Sequence, residues 1–112
     1  MTTDVVPILR VADAAESVRW YQRLGFEQVF EHRFEPGMPA YVGIRRDDAQ
    51  IHLSEHAGDA PATSLVYVWV EAVDPLAAEF GATVDDMPWA RDFEIADPDG
   101  NRLRIAEPVA ST

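Results

Sequence analysis

The sequence DAAESVRWYQRLG runs from Asp13 to Gly25 and carries the signals of one complete helix. Asp13 suits the N-cap position, and Glu16, three residues later, is the partner expected in a capping box. Val18 and Tyr21 follow at helical spacing and belong to an apolar stripe. Gly25 favours termination because glycine readily adopts the left-handed conformation found at helix ends. We therefore predict a helix between Asp13 and Gly25.

Strands are predicted on both sides of this helix. Short runs rich in β-branched and aromatic residues alternate with turn residues such as Pro36-Gly37 and Asp47-Asp48, a pattern typical of strands joined by turns. Pro7 interrupts the first run and favours an edge or terminal strand there. The predicted strands of this half of the chain are residues 5–11, 26–34, 41–45 and 49–54.

The second half repeats the same order of elements. Asp74 is predicted to cap a short helix, with Pro75 at its first position and Gly81 at its end, as proline and glycine prefer. The last two strands are joined by a tight turn over Asp97–Asn101. The predicted strands of this half are residues 65–70, a segment around Met87, and residues 93–96 and 103–106.

This duplication predicts the fold class and the domain organisation. Two βαβββ modules, about residues 4–56 and 63–107, are expected within a single domain of residues 1–112. Repeated units of this kind build similar half-sheets with their helices on one face. We therefore predict an α+β fold in which tandem modules form a curved mixed sheet with a concave groove.

Composition limits what the protein can do. The formal net charge of −11 disfavours nucleic acid and anionic membranes as partners, although an acidic surface can also serve solubility alone. There is no cysteine and all nine basic residues are arginine, which excludes thiolate and lysine Schiff-base chemistry. The longest uncharged apolar run, Ser64–Val70, is too short to span a bilayer. With no secretory signal pattern at the start, we expect a cytoplasmic protein.

Several local motifs, taken in order, resemble the vicinal-oxygen-chelate superfamily, which includes glyoxalase I, extradiol dioxygenases and bleomycin-resistance proteins. The resemblance covers nearly the whole chain. Each motif is weak alone, and their order makes the resemblance specific. The motifs are VPIL at 6–9, SVRWY at 17–21 leading into LGF at 24–26, LVYVWV at 65–70, PWARDF at 88–93 and DPDGN at 97–101.

The segment Pro88–Phe93 is similar to bleomycin-resistance proteins in particular. That resemblance implies a homodimer whose two grooves each take residues from both subunits, and a cationic glycopeptide bound there intact and kept from DNA. The chain is shorter between Gly81 and Met87 than those proteins often are. The implied function is sequestration of a bleomycin-like antibiotic without chemical change, and no cofactor is expected.

Catalytic members of the superfamily hold a divalent metal with His and Glu side chains from four strands. By the resemblance, those four positions fall on Val6, His52, Ser64 and Arg104. Only His52 has a metal-ligating side chain, and an arginine would repel the ion. The residues therefore favour binding over catalysis, and no metal site is predicted.

Aromatic side chains are the main candidates for contacting a ligand. Stacking and cation–π contacts suit a planar, cationic or heteroaromatic molecule. Trp89 is the preferred candidate because it lies in a polar connecting segment and matches the stacking tryptophan of resistance proteins, although it could instead cover a sheet edge or a dimer contact. Phe34 precedes a turn that could reach across a dimer, or packs as an ordinary strand residue. Tyr41 and Trp69 complete the aromatic set.

The strand at residues 65–70 is apolar on both faces, so alternation does not show which face meets the ligand. The metal position carried over to Ser64 implies that Val66 and Val68 face the groove and that Tyr67 and Trp69 lie under the helix. Trp69 is nevertheless kept as a candidate.

Polar candidates accompany these rings. His52 and Arg104 are expected to line the groove as a neutral or titrating group and a fixed cation. Arg104 is expected either to pair with Glu94 or to bind an anionic group of a mixed-charge ligand. Ser54 and Arg91 complete the set of candidate ligand-binding residues.

Three functions agree with these observations. The first is a binding protein that sequesters an antibiotic. The second is a metal-dependent enzyme of the glyoxalase or dioxygenase type with a rebuilt metal site. The third is a binder of another small aromatic metabolite. Fold alone does not separate them.

Overall fold

A computed structural model describes residues 2–109 and contains two helices and eight strands. The elements alternate as the repeated pattern predicts, with one strand, one helix and three strands in each half. They are β1 (Ile8–Arg10), α1 (Ala14–Gln22), β2 (Glu27–His32), β3 (Tyr41–Arg46), β4 (Ala49–Ser54), β5 (Leu65–Trp69), α2 (Asp74–Phe80), β6 (Asp85–Asp86), β7 (Ala90–Ala96) and β8 (Arg102–Pro108).

Local signals determine the ends of α1 as expected. The carboxylate of Asp13 accepts a hydrogen bond from the Glu16 amide at 3.1 Å, which satisfies an amide that the helix itself cannot pair. Gly25, just beyond the helix, has a φ of 88°. The chain can thus turn from α1 into β2 at a residue that tolerates this conformation.

The second helix begins differently from the prediction. Val73 occupies the N-cap without a side-chain hydrogen bond, and Asp74 is the first helical residue. The predicted cap at Asp74 is therefore wrong, because its carboxylate is bonded to Arg91 instead. Gly81 ends the helix in the left-handed conformation, as predicted. Neither helix within residues 2–109 has the length and apolar character needed to cross a membrane.

The strands form two four-stranded mixed sheets with the same topology. Their orders are β1-β4-β3-β2 and β5-β8-β7-β6, with β1 parallel to β4, β5 parallel to β8, and the other neighbours antiparallel. Ile8 is paired with His52 in the first sheet, and Tyr67 with Arg104 in the second. These two pairs are equivalent in the repeat, because the matching hydrogen bonds from Val11 to Ser54 and from Val70 to Ala106 lie at the same distance along the chain from each pair. The predicted α+β class with tandem βαβββ modules is confirmed.

The core lies between the inner faces of the sheets and the helices. Alternate residues of the central strands, such as Val42 and Ile44 on β3 and Leu103 and Ile105 on β8, are almost fully buried. Their neighbours in sequence consequently point to the opposite, outer face of each sheet. The helices also contact each other, since the rings of Trp20 and Phe80 lie 5.3 Å apart between centroids and Arg23 pairs with Glu79 at 3.0 Å.

The hairpin turn between β7 and β8 joins the two modules. The side-chain nitrogen Nδ2 of Asn101 donates to the carbonyl of Arg10 at 3.0 Å, while the side-chain oxygen Oδ1 accepts from the Ser64 amide at 3.0 Å. Asn101 is completely buried. One side chain thus fixes the end of β1 to the entry of β5, which aligns the two sheets.

Candidate functional site: the outer faces of the two sheets

The outer face of the first sheet carries a cluster of three rings, those of Phe30, Tyr41 and His52. Phe30 and Tyr41 are nearly parallel at 6.2 Å, and each meets His52 edge-on at 5.2 Å. They come from β2, β3 and β4 respectively, so three adjacent strands position them. Tyr41 and His52 were predicted as site residues, and the structure brings them together.

Phe30 is the member of this cluster that the sequence prediction missed. Its ring lies directly over Gly43 of β3, where any Cβ would overlap the ring. Phe30 remains 39% exposed, so its outer surface is accessible. The available signal was Gly43 itself, because a glycine inside a strand often marks the close approach of another group.

Tyr41 and His52 form a hydrogen-bonded pair. The phenol oxygen and Nδ1 of the imidazole are 2.8 Å apart. Burial lowers the pKa of His52, whereas burial and, to a lesser extent, the charge of Asp59 raise the pKa of Tyr41. Both shifts favour the neutral forms. The pair is therefore an uncharged polar group at the centre of an aromatic surface.

The outer face of the second sheet presents Tyr67 and Trp69 from β5. Tyr67 is 40% and Trp69 55% exposed, and their rings meet at 5.0 Å. Val66 and Val68 pack against the core instead. The orientation inferred from the Ser64 position is thus wrong, because β5 pairs with β8 in a register that places Tyr67 beside the exposed Arg104.

Charged residues lie beside these rings. Glu94 accepts hydrogen bonds from Arg104 at 2.9 Å and from Arg102 at 3.3 Å. The bond from Arg104 is the main cause of the lowered pKa of Glu94. Of the two roles expected for Arg104, pairing with Glu94 is observed. One carboxylate is shared by two guanidinium groups, which leaves one positive charge in excess within this cluster.

A cleft of about 320 Å³ opens along the edge of β5. Small-molecule sites in proteins start at about this size. Tyr67 and Trp69 form part of its wall, so the second outer face continues into it. The remaining walls come from residues 4–7 ahead of β1, Phe26, residues 48–51, Val66 and Val68.

Arg91 does not join these groups. Its guanidinium makes two hydrogen bonds with Asp74, at 3.0 and 3.1 Å, and one with Asp86 at 3.3 Å. The bond from Arg91 is the main cause of the lowered pKa of Asp74. On β7, Arg91 alternates with Asp92 and Glu94 and shares the inward side with buried Phe93. Its observed contacts stabilise the start of α2.

The other candidates lie in separate environments. Ser54 is fully buried, and its hydroxyl donates to Asp59 at 2.7 Å and accepts from the His56 amide. Phe34 is 75% exposed in the loop between β2 and β3, with its ring against His32. Trp89 is 59% exposed in the connection before β7, and its one hydrogen bond to another residue between 2 and 109 is that of its carbonyl with the Val109 amide.

The four positions at which catalytic relatives hold a metal do not fit a metal here. His52 and Arg104 are equivalent in the repeat, so Leu65 rather than Ser64 is equivalent to Val6 by register. This correction supplies no ligand, since leucine has no donor atom. No group of three or more His, Asp or Glu side chains within residues 2–109 is arranged to hold an ion. The donor set thus gives no basis for a metal-dependent step.

These features define a class of protein: two βαβββ modules with aromatic and charged side chains on their outer faces. The family described as "Glyoxalase superfamily protein" matches residues 1–112. The chain belongs to the glyoxalase superfamily. Among curated proteins, none matches the chain.

Solved structures share this fold at low sequence identity. TnmS3, an antibiotic binding protein from Streptomyces sp. CB03234, has a TM-score of 0.76 at 19% identity, covering 97% of this chain and 98% of its own. A bleomycin-binding protein complexed with bleomycin has a TM-score of 0.69 at 20% identity, covering 96% and 100%. A glyoxalase/bleomycin resistance protein/dioxygenase superfamily member from Sphaerobacter thermophilus DSM 20745 has a TM-score of 0.74 at 22% identity, covering 96% and 98%.

Proposed function

We propose that this protein binds a small, planar, cationic or heteroaromatic molecule of the bleomycin type and confers resistance by sequestering it without chemical change. The observation that carries the proposal is the exposure of Tyr67 and Trp69 beside the Arg104–Glu94 pair, along a cleft of suitable size. Similar folds in a bleomycin-binding protein and an antibiotic binding protein support the same class of ligand.

The surface chemistry agrees with binding of a mixed-charge ligand. Tyr67 and Trp69 offer ring faces, on which each stacking or cation–π contact contributes about 0.5–2 kcal/mol. The excess positive charge on Arg102 and Arg104 suits an acidic group of the ligand, whereas the net charge of −11 attracts its cationic part. Long-range attraction of this kind increases the rate of association.

The proposal includes a homodimer. Trp89, Met87 and Phe34 expose large apolar surfaces, and such surfaces are usually covered in an assembly. The strand β5 pairs only with β8 among the described strands, which leaves one edge unpaired. Sedimentation equilibrium tests this part, because a mass of one chain, 12.5 kDa, at all concentrations contradicts it.

Calorimetric titration with metal-free and copper-loaded bleomycin tests the proposed function. We expect saturable binding of about one ligand per chain. Incubation followed by mass spectrometry should return unmodified bleomycin. Altered bleomycin would contradict sequestration, and the absence of heat with both forms would exclude bleomycin as the ligand.

Substitutions at Trp69 locate the binding surface. Trp69→Ala should weaken binding about twofold to thirtyfold, because it removes a ring whose contact contributes about 0.5–2 kcal/mol. Trp69→Phe keeps an aromatic face at the same position and serves as the matched control. Trp89→Ala tests the second exposed tryptophan. Equal affinities for wild type and both alanine variants would place the ligand elsewhere.

A further inference from the structure

The two ring nitrogens of His52 have different surroundings. Nδ1 is 2.8 Å from the phenol oxygen of Tyr41. Nε2 has no hydrogen-bond partner within residues 2–109, and it is not among the fully buried unsatisfied atoms of this part of the chain. It is therefore free to meet a ligand on the outer face of the first sheet.

The hydrogen-bond roles within the pair follow from the chemistry of the two groups. A phenol, with a pKa of about 10, is a good donor, and a neutral imidazole nitrogen, whose conjugate acid has a pKa of about 6.5, is the better acceptor. In the reverse arrangement Nδ1–H would donate to the phenol oxygen, and the hydroxyl of Tyr41 would have no acceptor among the described residues. The favourable arrangement is O–H of Tyr41 donating to Nδ1 of His52.

The neighbouring rings hold this arrangement in place. The edge contact between Phe30 and His52 restricts the imidazole on one side, and the close packing of the Phe30 ring over Gly43 holds that ring in place. Tyr41 restricts it on the other, with an interplanar angle of 74°. A half-turn of the imidazole would replace Nδ1 with a carbon atom opposite the phenol and lose the hydrogen bond.

We propose that Tyr41 fixes His52 as the Nε2–H tautomer, so that the first outer face presents a hydrogen-bond donor flanked by aromatic rings. The ligand recognised there is a planar aromatic molecule that carries an acceptor oxygen, such as a ring carbonyl. This inference rests on the proposed function and specifies the ligand class at one part of the site.

The same tautomer distinguishes this histidine from a metal ligand. Coordination through Nε2 requires its lone pair, and the proton then resides on Nδ1, usually donated to a carboxylate or carbonyl oxygen. Tyr41 instead occupies Nδ1 as a donor. Even the one retained ligand-type residue is thereby arranged for hydrogen bonding to a ligand.

Nuclear magnetic resonance tests the tautomer without any ligand. Two-bond ¹H–¹⁵N correlation spectra of the full chain at pH 8 should show a protonated Nε2 and an unprotonated Nδ1 that accepts a hydrogen bond. In Tyr41→Phe the Nδ1 resonance should move towards the position of a free acceptor. A protonated Nδ1 in the wild-type protein would overturn the proposal.

Fluorenone and fluorene test the ligand class, since they share a planar shape and differ in one carbonyl group. The wild type should bind fluorenone about threefold to tenfold more tightly, as one neutral hydrogen bond allows. His52→Phe should bind both equally, whereas His52→Gln, which keeps an N–H donor, should retain part of the preference. Fluorescence titration measures all three proteins.

The outcomes separate this inference from the proposed function. Equal wild-type affinities for the two probes, or no binding of fluorenone, would overturn the inferred ligand class. Bleomycin titration tests the sequestration proposal independently of the tautomer experiment and of the comparison between fluorenone and fluorene. Preserved bleomycin binding with no preference for fluorenone would leave sequestration standing and exclude the donor role of His52.

Discussion

The phenol of Tyr21 donates a 2.8 Å hydrogen bond to Oδ2 of Asp97, across 76 residues of sequence. Tyr21 lies on α1 in the first module and Asp97 in the hairpin turn of the second, and both are buried. Asp97 also accepts hydrogen bonds from the amides of Asp99 and Asn101 and from the Asn101 side chain. Its carboxylate is thereby fully satisfied, and it connects the two modules.

Tyr21→Phe should lower the free energy of unfolding by about 1–3 kcal/mol, because a buried carboxylate loses one of its donors. Urea denaturation measures the change. Tyr67→Phe is the matched control: its phenol is exposed and makes no side-chain hydrogen bond within the described residues, so its removal should leave stability almost unchanged. Equal effects of the two substitutions would contradict a special role for the Tyr21–Asp97 bond.

Gly43→Ala tests the contact between β3 and the Phe30 ring. The new methyl group would displace that ring, at a cost of about 1–3 kcal/mol for overpacking. In a Phe30→Ala background the obstacle is absent, and the same substitution should be neutral or slightly stabilising, since alanine is less flexible than glycine in the unfolded chain. Urea denaturation of the four proteins forms a double-mutant cycle. Additive effects would show that the ring does not occupy this position.

Substitution of Arg104 on β8 and of Arg91 on β7 should have different effects on ligand affinity. Arg104→Gln removes a positive charge from the second outer face. It should weaken bleomycin binding and alter the dependence of that affinity on salt, because the charge suits an acidic group of the ligand. Arg91→Gln removes a charge of the same sign from the opposite side of the sheet, where it holds Asp74, and should leave affinity unchanged. Calorimetry at two salt concentrations measures both. A larger loss of affinity with Arg91→Gln than with Arg104→Gln would show that Arg91 belongs to the binding surface.

The repeated helix and strand signals predicted the fold well, because caps, glycines and turns are local features. The strand Ala49–Ser54 was predicted at its exact bounds. The orientation of β5 was not predictable in this way. Its residues are apolar on both faces, so only pairing with β8 decides that Trp69 is exposed.

The sequence also predicted only part of the candidate site, because some of its contacts form between separate elements of the fold. Tyr41 was a candidate as an aromatic side chain and His52 through the metal position carried over from the resemblance, and the two lie together. Arg91 lies on the inward side of β7, where it pairs with Asp74, and Phe30 packs over Gly43, its register partner on the neighbouring strand β3. Both contacts join separate elements of the fold. A glycine inside a strand signals that some group approaches closely, but it does not identify that group.

The pH dependence of stability provides a test of the surroundings of His52. Burial lowers its pKa in the folded protein below the unfolded value of about 6.5, so the unfolded chain takes up a proton first as the pH falls. Stability associated with this residue is therefore complete above about pH 6.5 and decreases as the pH falls through the lower, folded pKa. Protonation would also turn Nδ1 from an acceptor into a donor. The Tyr41 hydroxyl could then no longer donate to it and would have to rotate.

His52→Gln should remove this component and flatten the profile of unfolding free energy between pH 7 and 5, as measured by urea denaturation at several pH values. Tyr41→Phe removes the hydroxyl but keeps the titrating imidazole, so its profile should still decline on acidification. Parallel profiles for wild type and His52→Gln would mean that the imidazole is as accessible as in the unfolded chain. That outcome would contradict the desolvated position of His52 among the rings of the first outer face.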